Sequence, residues 1–170
     1  MEPGKQGHAK KISKNTQKEG KMRLFTIFVS LLLIFGATAV QADTLDSTEN
    51  ARKLTDQVMA KVTAGDFLGG FNVMKPYLII PDSEFNVMCE QAKSQLPVIQ
   101  SRFGTSVGSE FISERMIGKS LLQIVHIQKF EKHAMRWRFT FYNPKGKWIL
   151  NTFNFDENIQ ALFTEYHNEK

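Results

Sequence analysis

Four histidines, one cysteine and two arginines spaced two apart are the groups in this sequence with the clearest chemical capacity. His8, His126, His133 and His167 never stand at the spacing of a helical or strand metal pair, and no His-Glu-x-x-His occurs, so no metal ligands are expected. His126 falls in phase with Leu122 and Ile124 in a period-2 run, which predicts that it projects with them from one strand face. As a general base it would need a carboxylate partner and reach to a substrate. No sequence neighbour supplies that partner, so a distant residue such as Asp66 would have to. The competing reading is a hydrogen-bonded structural histidine, and the missing partner favours it. Arg136 and Arg138 share a strand face with Thr140 and Tyr142. That pattern builds an anion-binding strip if the face lines a pocket; the solvated outer face of an antiparallel sheet gives the same pattern and needs only one buried side. His126, Arg136 and Arg138 are therefore the candidate ligand-binding residues.

Other chemistries lack their constellations. Cys89 sits on an apolar helix stripe with no His or basic neighbour, so it reads as a small buried hydrophobe rather than a nucleophile. Gly69 and Gly70 are followed by no Lys-Ser or Lys-Thr and preceded by a helix, the wrong context for a phosphate loop; they read as turn glycines. No Gly-x-Ser-x-Gly elbow is present. No catalytic residue is assigned, no cofactor is expected, and the balance leans away from an enzyme.

The elements that must position these side chains follow from periodicity. Ala51, Leu54, Val58 and Val62 recur at spacings of three and four, an amphipathic helix capped at its end by Gly65. Asp66-Phe67-Leu68 begins a second short turn or helix, and Phe71 to Tyr77 reads as helix or irregular structure ended by Pro76. Pro81-Asp82-Ser83 starts a further helix, with Asp82 or Ser83 as the capping acceptor. Its stripe is Phe85, Met88, Cys89, Ala92, Leu96, Ile99 and Phe103. Pro97 inside it predicts a kink or break near Gln95.

Beyond Gly104 the period becomes 2 and predicts strands at Gly108 to Met116, Leu121 to Phe130, Ala134 to Tyr142 and Trp148 to Phe155. In the last, Ile149, Phe153 and Phe155 alternate with Trp148, Leu150, Thr152 and Asn154. Short connections, including Asn143-Pro144-Lys145-Gly146, imply an antiparallel meander, and Asn158 to Tyr166 a final short helix. The aromatic set Trp137, Phe139, Phe141, Trp148, Phe153 and Phe155 would fill a sheet–helix interface or stack on an apolar ligand, the core role being the commoner. Helices first and strands after give an α+β domain with helices on one face of a curved sheet.

The rest of the 170-residue chain concerns address. Leu24 to Val40 carries no charge; Lys18, Lys21 and Arg23 precede it, and Val40-Gln41-Ala42 places small residues at a cleavage position. This is the three-part secretory signal, giving a basic extension at residues 1–21, a signal peptide at 22–42 cleaved after Ala42, and one α+β domain at 43–170. The alternatives are an uncleaved membrane anchor and a buried core helix. Met22 is the expected initiator, a secretory n-region being short. Residues 1–42 hold seven of the 22 basic and two of the 17 acidic residues, leaving 15 of each in the domain. A neutral domain does not supply clustered charge for nucleic acid, so none is expected as a partner. A single cysteine makes no intrachain disulfide, so the core alone must hold the domain.

The helix ending in Ala64-Gly65-Asp66-Phe67, the second helical element, and a meander carrying Trp137-Arg138-Phe139-x-Phe141-Tyr142 and Gly146-Lys147-Trp148-x-Leu150 resemble small secreted bacterial members of the nuclear transport factor 2-like superfamily, from about Ser47 to Asp156. The resemblance implies a sheet curled into a cone around a pocket and leaves the chemistry open, since members range from isomerases to binding and dimerisation modules. No catalytic Asp, His or Tyr of such members is matched here residue by residue. The expectation is a periplasmic or secreted, non-enzymatic binding or interaction module for an unknown ligand or protein, with homodimerisation through the outer sheet face. The alternative is a small enzyme or small-molecule carrier using the cone pocket, in which His126, Arg136 and Arg138 would converge in one cavity.

Overall fold

Ser47 opens the first helix from an extended backbone, its side chain accepting from the Asn50 N–H at 3.1 Å, the expected way to satisfy an orphan donor. A computed structural model describes residues 42–167; the basic extension, residues 1–21, and all of the 22–42 signal segment except Ala42 lie outside the described residues. Helix α1 runs Thr48–Thr63 and buries Ala51, Leu54, Thr55, Val58, Met59 and Val62. Gly65, at φ +86°, takes the left-handed conformation that ends it.

Helix α2, Phe67–Met74, is capped by the Asp66 carboxylate, which accepts from Gly69 N–H at 2.9 Å, and it continues into a 3₁₀ turn at Lys75–Tyr77. Gly69 and Gly70 therefore lie inside a helix and do not form a turn. The physical reason at Gly70 is proximity: an added Cβ would stand 2.7 Å from Val62 Cγ2 and 3.2 Å from the Val58 carbonyl oxygen, so the absence of a side chain lets α2 lie close on α1. Helix α3, Asp82–Phe103, starts from Pro81 with no side-chain cap; Asp82 instead pairs with Lys75 at 3.0 Å. It runs through Pro97 without a break. Pro97 is exposed, so the carbonyl it leaves without an intrahelical donor faces the solvent side.

Strands β1 (Ser106–Ile117), β2 (Leu121–Phe130), β3 (Ala134–Tyr142) and β4 (Ile149–Asp156) form one antiparallel sheet in that order, the predicted meander, and helix α4 spans Gln160–His167. A register shift lies between Thr140 and Phe141 of β3, where Phe141 meets Leu150 and Thr140 meets Thr152. This bulge puts Leu150 on the same face as Phe153 and Phe155, not with Thr152 and Asn154 as strict alternation predicts. The lead before α1 is also built in: Leu45 and Trp148 exchange two backbone hydrogen bonds of 2.8 Å, and Asp43 N–H bonds the Pro76 carbonyl.

Helices α1, α2 and α3 cover one face of the sheet, whose inward residues Leu122, Ile124, Trp137, Phe139, Phe141 and Leu150 are buried in one cluster with Val58, Phe71 and Phe103. The domain is thus α+β, helices followed by an open antiparallel sheet. Among the described residues no helix is long and apolar enough to cross a membrane.

The close approach of α1 and α2 makes a measurable distinction between adjacent glycines. Gly70→Ala pushes a methyl into helix backbone and a packed valine, an overpacking cost of about 1–3 kcal/mol that alanine's helix propensity offsets by only about 1 kcal/mol. At Gly69 the obstacle is the movable Asp66 carboxylate. Urea denaturation should show Gly70→Ala the less stable of the two, and equal midpoints would refute the close-packing account.

Candidate functional site

The sheet register decides first whether the three candidate residues meet. His126 stands opposite Trp137, whereas Arg136 stands opposite Ile127 and Arg138 opposite Val125. Directly opposed residues share a face and successive residues alternate. His126 therefore lies on the helix-covered face and both arginines on the other, and no single cavity gathers the three.

His126 is 2% exposed. Its Nε2 lies 2.9 Å from Thr55 Oγ1, and that hydroxyl donates to the Arg52 carbonyl at 2.8 Å. A hydroxyl has one hydrogen, so Thr55 accepts from His126, whose Nε2 carries a proton. Phe111 and Phe139 meet the ring edge to face at 5.7 and 5.9 Å. Burial, reinforced by the Arg52 charge and opposed by Asp56, pushes its pKa down to about 4. The carboxylate beside it is Asp56, 3.8 Å away; Asp66 caps α2 instead. An imidazole so enclosed has the setting of a structural group.

Arg136 departs from a solvated face. It is 3% exposed and grips Asp156 with two bonds, Nε to Oδ1 at 3.2 Å and Nη2 to Oδ2 at 3.0 Å, the fork geometry that suits arginine. Arg138 reaches the same carboxylate at 3.5 Å, and Asn158 N–H bonds it at 2.9 Å. Burial tends to raise the Asp156 pKa, but the Arg136 hydrogen bond, the Asn158 N–H and the two arginine charges together hold it below the ordinary carboxylate value. Arg136 and Asp156 thus act as a strut from β3 to the end of β4.

The cavity lies elsewhere. About 280 Å³ opens between the end of α1, the end of α3 and the neighbouring ends of β1 and β2. Val62, Phe67, Leu96, Ile99 and Phe130 form apolar walls, while Thr63, Gln100, Thr105, Ser106 and Gln128 contribute polar side chains; none of the lining residues is ionisable. Gln128 is 1% exposed. Its Oε1 accepts from Trp137 Nε1–H at 3.2 Å and its Nε2 donates to Ser106 Oγ at 3.2 Å. The indole is donor only, so it orients the amide and leaves the second amide hydrogen and the Ser106 hydroxyl hydrogen free to meet an acceptor.

These residues escaped the candidate set drawn from the sequence. Leu96 and Ile99 are indistinguishable from core positions in the helical stripe. Gln128 did carry a signal: it continues the phase of Leu122, Ile124 and His126, and a polar residue on an inward face needs a partner. Cys89 is partly buried, and burial first, then Glu90, pushes its thiol up against the pull of Lys75, which keeps it protonated at neutral pH. Among the described residues no three His, Cys, Asp or Glu side chains group for a metal ion.

The state of His126 has a stability consequence. Its folded pKa lies below the ordinary value of 6.5, so the unfolded chain takes up its proton first as pH falls. The contribution is complete above about pH 6.5 and is lost progressively toward pH 4, reaching about 3 kcal/mol. Asp156, also lowered, weakens only below its unfolded value of 3.8. Urea unfolding midpoints should therefore fall between pH 6.5 and 4 in the parent protein and flatten over that window in His126→Phe; an unchanged slope in the variant would remove His126 as the cause.

No protein-family model matches this chain, and no curated protein matches it.

Proposed function

We propose that this chain is an exported, non-enzymatic binding module that holds a small uncharged molecule in the cavity between its helices and sheet. The observation that carries this reading is an apolar-walled cavity with no ionisable lining residue and two unclaimed donors at its polar end, Ser106 Oγ–H and Gln128 Nε2–H. Ligand sites are typically clefts of about 300–1,000 Å³ with apolar walls and few polar groups; about 280 Å³ lies just below that range and suits a small guest. Burying a charge there without a partner is costly, which favours a neutral ligand carrying a carbonyl or other acceptor.

The non-catalytic part of the proposal is supported by what the cavity lacks. Proton transfer needs a titratable group within reach of the substrate, and His126, Arg136 and Arg138 do not line it. The finer fold assignment, an exported member of the nuclear transport factor 2-like superfamily, is part of the same proposal. Its supports are the order of elements, the helices on one face of the meander, and the position of the cavity at the mouth between them. Export is supported by the basic, apolar and small-residue segments that end at Ala42.

The test is intact mass of the protein from the extracytoplasmic fraction of its host, denatured and then native. The denatured mass should begin at Asp43, and the native mass should exceed it by one neutral ligand. Ile99→Trp, which fills the cavity, should lower ligand occupancy at least tenfold while the protein remains folded. A mass that retains Leu24 to Val40 would remove the export reading alone. A native mass without ligand and no thermal shift with neutral carbonyl compounds, or full occupancy in Ile99→Trp, would remove the binding reading.

A further inference from the structure

The turns joining β1 to β2 and β3 to β4 lie at the same end of the sheet, and Asn143 N–H bonds the Ser120 carbonyl across them at 2.8 Å. Four of the ten exposed large hydrophobic residues among the described residues lie at this end. Ile117 is 64% exposed, Leu121 39% and Tyr142 40%, and they stand in one cross-strand row, Ile117 opposite Leu121 and Leu121 opposite Tyr142. Met116, 44% exposed, points to the other face of the same strand. Between Arg115 and Leu121, and between Tyr142 and Ile149, the charged residues are all basic. Lys147 pairs with Asp46, while Lys119 and Lys145 make no ion pair with a described residue.

We propose that this double-turn tip inserts into the interface of an anionic lipid membrane. Three observations select that occupant. The apolar side chains emerge on both faces of the tip, Ile117, Leu121 and Tyr142 on one and Met116 on the other, a wedge that a deformable apolar medium can surround. Lys119 and Lys145 beside it pair with no described residue, so the complementary surface is negative. A two-fold contact between copies would bring the same lysines together, so a second copy is disfavoured. Aliphatic side chains flanked by lysines, with a tyrosine at the margin, are the composition of interfacial anchors, in which lysine stems reach the headgroups.

The experiment reads the tip itself, so that the apolar segment at Leu24 to Val40 does not contribute. An environment-sensitive dye is attached at Pro144→Cys in full-length Cys89→Ala protein and titrated with phosphatidylcholine vesicles, with or without an equal amount of phosphatidylglycerol. The dye should shift to the blue only on the anionic vesicles and lose the shift as salt rises. Replacing Lys119 and Lys145 with Gln should weaken binding about thirtyfold, and Ile117→Ser about tenfold. The same dye at Thr152→Cys, on the open sheet face, should not respond. The proposal is overturned by no shift, an equal shift on neutral vesicles, an equal response at Thr152, variants that bind as the parent does, or a shift that follows protein concentration without vesicles and marks self-association. Matching urea midpoints establish that the variants fold.

Discussion

The position of Trp137 is the constraint on which the rest of this domain depends. Its ring stacks on Phe155 at 4.7 Å and meets Phe67 and Phe71 of α2 at 5.6 and 6.4 Å. One fully buried side chain therefore fixes β3 to β4 and α2 to the sheet. A large aromatic buries about 150–250 Å², the greatest single contribution available to a core that no disulfide supports. Its N–H cannot be left unpaired at that depth, and Gln128 answers it. The same bond turns the Gln128 amide toward Ser106, so the polar end of the cavity is a consequence of how the core satisfies its largest member.

Polarity divides the two sheet faces in a way that follows from the same demand. On the covered face the fully buried polar side chains among the described residues are neutral: Gln128 is an amide, Thr55 a hydroxyl, and His126 is held uncharged by burial. On the other face charge is admitted because a fork-shaped partner is present. Arg136 is as buried as many core residues, yet two hydrogen bonds to Asp156 and a carboxyl kept ionised make that tolerable. Removing Asp156 would take the fork-shaped partner from a buried guanidinium, whereas removing a rim lysine would cost little.

Much of this fold was legible because its periods are clean. The stripe of α1, the change of period after Gly104 and the four strands read from Leu121, Ala134 and their neighbours agree closely with the structure, since each face is buried against one partner. What the sequence hid is tertiary. Gly69 and Gly70 have the local signature of a turn, and only the proximity of α1 shows why a helix keeps them. Pro97 breaks a helix by propensity but not on an exposed side that water can serve. The bulge at Asn151 of β4 is a register event with no mark of its own, so strict alternation puts Leu150 on the wrong face. His126 and the arginines were legible as polar residues on strands; that they occupy opposite faces required the pairing of β2 with β3.

The cavity was the least legible feature, because a cavity is a deficit of packing and no residue encodes a deficit. Leu96, Ile99 and Phe130 are only partly buried although they lie against the core, whereas Phe85, Ala92 and Phe103 on α3 are closed over. The helix therefore packs at its start, middle and end and stands off the sheet between Ala92 and Phe103. Apolar surface left in this state forfeits the burial that would otherwise stabilise the domain, at about 25 cal/mol for each Å². A ligand that fills the gap recovers part of it and adds stability in proportion to the logarithm of its concentration. The same residues that make the free domain less stable thus make it responsive to a neutral guest, and the Trp137 to Gln128 to Ser106 chain gives that guest one orientation.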